Sequence, residues 1–372
     1  MKRVGSAALV AALTLTGLAA GTATSVASSA PVPIAKGLSN PRQMTISPNG
    51  NLYVALAGSG RLHAKHPGGC GGSPEEGIQC AGDTGGIERI LAPGSAAAGA
   101  GRQVQFGLMS VADKGSGAQD PAGSAAVGLD AVSFAPNGTE WGIITIIPPA
   151  LLKNEPSWVK NENGRLVRFT SNGTVIPVVN VGAFSRAHPT AGHVVDSDPY
   201  GVLAFNDRVY VVDAAADTLL EWTQSKGLRI IHAFPHRNGD GSDGSFDTVP
   251  TSLATDGTHL FVGTLASFVP HQAKVYELTM AGKVVKTYGG FDQITSVAVD
   301  QGNIYLTEIF GGKQGPFDSS GNPNGLVIEI HKNGTKTGKK VPLPGGVAAR
   351  NGHLYVSVFS IAAGLGQVWR IR

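Results

Sequence analysis

The feature that most constrains this chain is a short segment that returns six times. Gly85–Ile90 reads GGIERI, Gly164–Phe169 GRLVRF, Thr218–Trp222 TLLEW, Ala273–Leu278 AKVYEL, Gly325–Ile330 GLVIEI and Gly366–Ile371 GQVWRI. Each ends in an apolar residue preceded by a charged one: Arg89, Arg168, Glu221, Glu277, Glu329 and Arg370. Alternation with period two marks a sheet strand with one wet face. Its regular return marks a repeat architecture. The charged row reads as a solvated sheet face rather than as a site.

A paired apolar run around a tight turn precedes each segment. Met44–Ile46 turns at Asn49-Gly50 into Leu52–Ala55, Val132–Phe134 at Asn137-Gly138 into Trp141–Ile146, and Val202–Phe205 at Asn206-Asp207 into Val209–Val212. The later units turn at Asp256-Gly257, Gln301-Gly302 and Asn351-Gly352. Asn-Gly and Asp-Gly supply the positive φ that two-residue hairpin turns require. The second runs carry aromatics at matching places: Tyr53, Tyr210, Phe261, Tyr305 and Tyr355. A further hairpin follows most third strands, at Asn172-Gly173, Lys226-Gly227, Ala281-Gly282 and Asn333-Gly334. The count is four strands per unit and six units. A four-stranded unit buries too little by itself, so the units must pack in a ring. The expected fold is all-β, a six-bladed β-propeller. The sixth unit runs out of chain after three strands, and Val32–Gly37 is the spare strand that completes it. That closure also removes exposed sheet edges. Glycine, 52 of 372 residues, is about twice its usual share, which suits turns and disfavours long helices.

The N-terminus reads as a secretory signal over residues 1–30: Lys2 and Arg3, the apolar Ala7–Ala20, then small residues. Cleavage after Ala27 or after Ala30 fits equally. The apolar run falls short of the roughly 20 residues of a membrane span, and no later run is longer. Residues 31–372 are then one propeller domain, expected to be secreted and monomeric. Removing Lys2 and Arg3 leaves 27 basic residues against 26 acidic ones with no basic stripe. That argues against nucleic acid as a partner. The two cysteines, Cys70 and Cys80, share one Gly-rich loop, and export favours a disulfide between them. The alternative, a metal pair completed by His63 and His66, matches no common zinc spacing.

The loops are unequal. The long insertions are Leu56–Thr84, Ala92–Ala126, Ile147–Asn163, Gly182–Ser197, Pro235–Thr248, Ala266–His271 and Phe310–Asn324. In a propeller these connections emerge on one face, and function concentrates on such loops. His188, His193 and Asp196 form a candidate ligand set there. His236, Asp240, Asp243 and Asp247 form a second group of histidine and acid. Asp198, Asp213 and Glu308, at strand ends on that face, are candidates for a calcium site at the channel mouth, since calcium takes six to eight oxygens. The competing reading of Asp196, Asp198 and Asp213 is turn capping. Asn238–Gly244 resembles a calcium-binding loop only loosely, lacking the glycine at its sixth position and the terminal glutamate. There is no Gly-x-Ser-x-Gly, no strand-to-helix GxGxxG and no Walker A.

Ala126–Gly138 (AVGLDAVSFAPNG), Asp198–Val202 (DPYGV), Val249–Gly257 (VPTSLATDG), Ile294–Ile309 and the loop Gly68–Cys80 followed by GGIERI resemble the ScyD/ScyE family. The resemblance spans nearly the whole mature chain. It implies an exported six-bladed propeller and carries no catalytic residues with it. A looser likeness is to the calcium-dependent gluconolactonase and paraoxonase propellers, whose cation is held by Glu, Asn and Asp at strand ends; the likeness implies Glu308, Asp198 and Asp213 as the matching positions here, without a full ligand set. The expected function is binding of a protein partner or small molecule on the long-loop face. The alternative is a calcium-dependent hydrolase such as a lactonase.

Overall fold

The computed structural model describes residues 30–73, 77–94, 101–117, 121–147, 149–190, 195–236, 246–313 and 315–372. The expected signal segment, apart from Ala30, lies outside them, as do His193, Asp240 and Asp243. Six small antiparallel sheets form a ring. Their innermost strands are Pro41–Ile46, Leu129–Phe134, Pro199–Phe205, Pro250–Thr255, Ile294–Asp300 and Gly346–Arg350, for blades 1 to 6. Each innermost strand touches the next, and the sixth touches the first. The chain is a six-bladed β-propeller.

Closure follows the sequence expectation. Val32–Leu38 is the outer strand of blade 6 and pairs antiparallel with Gly366–Arg370. The matched aromatics act between blades. Tyr53 meets Phe134 of blade 2 at 4.6 Å between ring centroids. The Tyr210 hydroxyl donates to Met280 O of blade 4, and that of Tyr305 accepts from Arg372 of blade 6 at 2.6 Å. Tyr210, Tyr305 and Tyr355 are among the largest fully buried side chains. Each such burial is worth about 2–3 kcal/mol.

Three details differ from the sequence reading. Most Asn-Gly corners are not two-residue turns. Gly50, Gly138, Gly173 and Gly334 are left-handed while the preceding Asn is not, and each of these glycines donates back three residues, as Gly50 N does to Ser47 O at 2.9 Å. This is the turn-plus-left-handed-glycine form of a longer hairpin loop. Gln301-Gly302 and Asn351-Gly352 do have positive φ at both positions. Second, blade 1 has a fourth strand, Arg102–Asp113, inside a segment expected to be loop, and its third strand begins early, at Gly77. No tight turn announces that outer strand. Third, short helices fill two insertions: Pro149–Leu152 and Ser157–Glu162 in one, Val181–Ala187 at the start of the other.

Cys70 and Cys80 face each other on the hairpin of Cys70–Ser73 with Gly77–Ile90 and form a disulfide. Both sulfurs are thereby consumed, which removes the metal-pair alternative. Among the described residues, no helix is long and apolar enough to cross a membrane.

Candidate functional site at the long-loop end of the channel

The ring is sewn together near its axis by side chains. Every blade junction carries a hydrogen bond: Arg42 Nη2 to Ala126 O (1 to 2), Ala204 N to Ser133 Oγ (3 to 2), Val249 N to Asp217 Oδ1 (4 to 3), Thr251 Oγ1 to Ile294 O (4 to 5), Val347 N to Ser296 Oγ (6 to 5) and Ser357 Oγ to Arg42 O (6 to 1). These groups are buried, where an unmade hydrogen bond costs about 1–3 kcal/mol.

Five of the six innermost strands also break register at the same place. The pairing slips between Pro41 and Met44, Leu129 and Ala131, Pro199 and Gly201, Pro250 and Ser252, and Ile294 and Ser296. Blade 6 has no slip at Gly346. The extra residues are Arg42 with Gln43, then Asp130, Tyr200, Thr251 and Thr295. A bulge takes a residue out of the ladder and re-aims its side chain. The bulges of blades 2, 3 and 4 lie just after the insertions that lead into those blades, and those of blades 1 and 5 follow two-residue links at the same end. Gln43 reaches across the ring, donating from Nε2 to Thr251 O of the opposite blade at 2.6 Å.

Blades 1 to 3 place charge there. Arg42 Nε lies 3.5 Å from Asp130 Oδ1, with the Asp130 side chain fully buried. Burial opposes the Arg42 charge, but Tyr200, Asp130 and Asp198 outweigh it and hold the guanidinium above its ordinary value. Burial pushes the Asp130 carboxyl well above the usual carboxylate range; Arg42 pulls it back, and Asp198 pushes it further up. The Tyr200 hydroxyl is pushed to about 12, mainly by burial. Thr145 donates to Asp198. The group sets one buried cation, Arg42, against two acids, Asp130 and Asp198. It offers donors and acceptors side by side.

The residues singled out in the sequence are distributed differently. Asp198 belongs to the channel group. Asp213 is fully buried and accepts from Ser197 Oγ, Asp198 N and Ala216 N, so it caps the turn that sets Asp198. Glu308 lies on blade 5 and accepts from Asp292 N at 2.9 Å. Asp198, Asp213 and Glu308 do not converge into a group with metal-ligand spacing. Among the described residues that spacing occurs at Asp217, His236 and Asp247. His188 is bound to its own helix, Nδ1 lying 2.9 Å from Phe184 O with the rings stacked. Asp196 is exposed and accepts from Ser197 N. Arg42, Asp130 and Tyr200 escaped the sequence reading. Their signal was alignable: PRQ, LDA, PYG, PTS and ITS open five units, each with a polar residue after a Pro or aliphatic one.

No family model matches the chain, and no curated protein matches it. Solved propellers share its outline. Virginiamycin B lyase from Staphylococcus aureus is 10% identical, with 89% of this chain and 94% of that one covered and a TM-score of 0.43. A gluconolactonase from Xanthomonas campestris is 9% identical, covering 92% and 98%, at 0.44. A PQQ-bound aldose sugar dehydrogenase from Streptomyces coelicolor is 15% identical, covering 80% and 96%, at 0.38.

Proposed function

We propose that this is a secreted, monomeric binding protein of the ScyD/ScyE type, which takes a small polar ligand at the long-loop end of its channel. One observation carries the reading. Five blades repeat a bulge at one position, and each bulge carries a polar residue at the end of the ring where the insertions lie. Arg42, Asp130, Asp198 and Tyr200 supply charge and hydrogen bonds to a ligand having both acceptors and donors, such as a hydroxy acid or a sugar acid. Recovery of the chain from culture fluid, with a mature N-terminus between residues 28 and 31, tests export.

The binding reading is tested by thermal shift with a panel of hydroxy acids, sugar acids and neutral sugars. A stabilising compound should lose its effect in Tyr200→Phe, which keeps the ring and removes one hydroxyl. If no compound stabilises, or if Tyr200→Phe responds as the wild type does, the reading fails. A hydrolase is the second reading, favoured by Asp130 beside Asp198, where burial pushes the Asp130 carboxyl up, since two carboxyl groups in unlike environments can divide acid and base roles. Turnover of a lactone or ester by the wild type, lost in Asp130→Asn, selects it.

A further inference from the structure

Away from the bulge ring, the insertion between blades 3 and 4 buries a second set of charged groups. Asp217 ends the loop between the second and third strands of blade 3. Its backbone carbonyl accepts from Phe234 N at 2.8 Å, and its Oδ1 accepts from Val249 N at 2.6 Å. Its other oxygen, Oδ2, lies 2.8 Å from Nδ1 of His236. Asp247 Oδ1 lies 3.0 Å from the same nitrogen. The Asp217 and His236 side chains are 1% and 2% exposed.

A single Nδ1–H serves one carboxylate well. Asp217 takes it, and Asp247 Oδ1 is left buried with no hydrogen bond among the described residues. An orphaned buried carboxylate oxygen costs more than a neutral group would. Two carboxylates at one imidazole also repel each other. A proton on the ring therefore answers the local electrostatics only in part.

We propose that Asp217, His236 and Asp247 form a binding site for a divalent transition-metal ion of the zinc or manganese class, pinning the blade 3–4 insertion to blade 3. The donor set selects the ion. One ligand atom from each of Asp217, His236 and Asp247 lies within 4.8 Å of the others, close enough to share one ion. An imidazole nitrogen with two carboxylates is a set that zinc and manganese accept, whereas calcium takes oxygen ligands. Binding replaces the Nδ1 proton by the metal, and that proton is released to solvent. The ion gives Asp247 Oδ1 the partner it lacks. The proposal does not rest on the channel ligand.

The test uses the full mature chain, stripped with chelator and freed of it by gel filtration. Calorimetric titration should show one equivalent of Zn2+ or Mn2+ and at least tenfold weaker binding of Ca2+. At a hundredfold excess over Kd the melting temperature should rise by about 3 °C or more. His236→Gln and Asp247→Asn should each weaken binding at least tenfold, while His271→Gln, a surface histidine beside Asp292, should not. Absence of one-equivalent binding by the wild type overturns the proposal without any variant, and so does unchanged affinity in both site variants. Should those variants fold poorly, Mn2+ added to the wild type must broaden the imidazole signals of His236 before those of other histidines. Prior broadening at another histidine also overturns it.

Discussion

Replacing Glu308 with Gln should stabilise the protein at alkaline pH and leave it nearly unchanged at pH 5. Glu308 is 3% exposed, and its carboxyl is pushed from an ordinary 4.5 to about 7. Burial is the main cause; the Asp292 N–H bond pulls it down, and the Asp292 charge pushes it up. The folded state thus holds this proton more tightly than the unfolded state does. The stabilisation linked to the proton is complete below about pH 4.5 and is lost as pH rises through about 7. A displacement of about 2.5 pH units at 1.36 kcal/mol each is about 3 kcal/mol. Gln keeps the oxygen that accepts from Asp292 N and cannot ionise. At pH 5 the variant should lie within about 1 kcal/mol of wild type; at pH 8.5 it should be more stable by up to about 3 kcal/mol. Urea unfolding of both proteins at the two pH values measures this. An equal difference at pH 5 and pH 8.5 refutes the reasoning. A cation held by Glu308 would reverse the sign at pH 8.5, and chelator would then erase the wild type's advantage.

The same sign applies to the whole protein. Burial also pushes Glu88, Glu140, Glu162 and Asp217 to about 7, so thermal melts of wild type should be highest near pH 5 and fall towards pH 8.5. Asp130→Asn, which takes from the buried Arg42 guanidinium its carboxylate neighbour at 3.5 Å, should cost about 3 kcal/mol or more in urea unfolding, and a loss below about 1 kcal/mol would show that this pair does not hold Arg42. Deleting residues 31–38 uncovers the edge Gly366–Arg370 and loses the burial of Ala35 and Leu38, a loss of about 5 kcal/mol, visible as a lower melting temperature; no change would count against closure by this strand. Cys80→Ser should speed proteolysis within the hairpin that begins at Cys70 while moving global unfolding only modestly, since the ring is closed elsewhere.

The ring was legible in the sequence because it is built from local rules. Alternation in segments such as AKVYEL declares a strand, and Asn-Gly or Asp-Gly declares a corner. An aromatic at a fixed place declares an interface between units. The outer strand Arg102–Asp113 was not legible, since no corner motif links it to Gly77–Ile90. The carboxylates at strand ends were recognised as structurally placed, but the sequence could not say what they face. Asp213 and Glu308 look alike from sequence and act alike in the fold, each receiving a backbone N–H from the chain entering the innermost strand of its own blade. Their identity as acids follows from that geometry, in which an anion or neutral carboxyl accepts from a backbone donor.

The bulge explains why the channel residues were harder to see. Period-two alternation assigns each residue of a strand to one face, and one inserted residue breaks that assignment locally. Arg42, Asp130, Tyr200, Thr251 and Thr295 stand where the parity fails, so they belong to neither the packed face nor the wet face of a blade. Their places lie outside the apolar packing that fixes Val132 or Val297, although Arg42, Asp130, Thr251 and Thr295 are themselves buried, and their charge differs from blade to blade. Arginine, aspartate and tyrosine come from blades 1 to 3, threonines from blades 4 and 5, and nothing from blade 6, where Gly346 packs against Arg42 O and Gln43. A symmetric scaffold therefore carries an asymmetric ring of polar groups. One side is charged and one is neutral, and Gln43 links them across the axis. A ligand that binds there must itself be lopsided, with an ionic end toward Arg42 and Asp198 and a neutral hydrogen-bonding end toward Thr251 and Thr295. Tyr200→Phe and Thr295→Val should accordingly weaken the same compound through different parts of it, which analogues lacking the acid or the hydroxyl group would resolve. Equal losses for every analogue in both variants would show that the two sides of the ring do not divide the ligand.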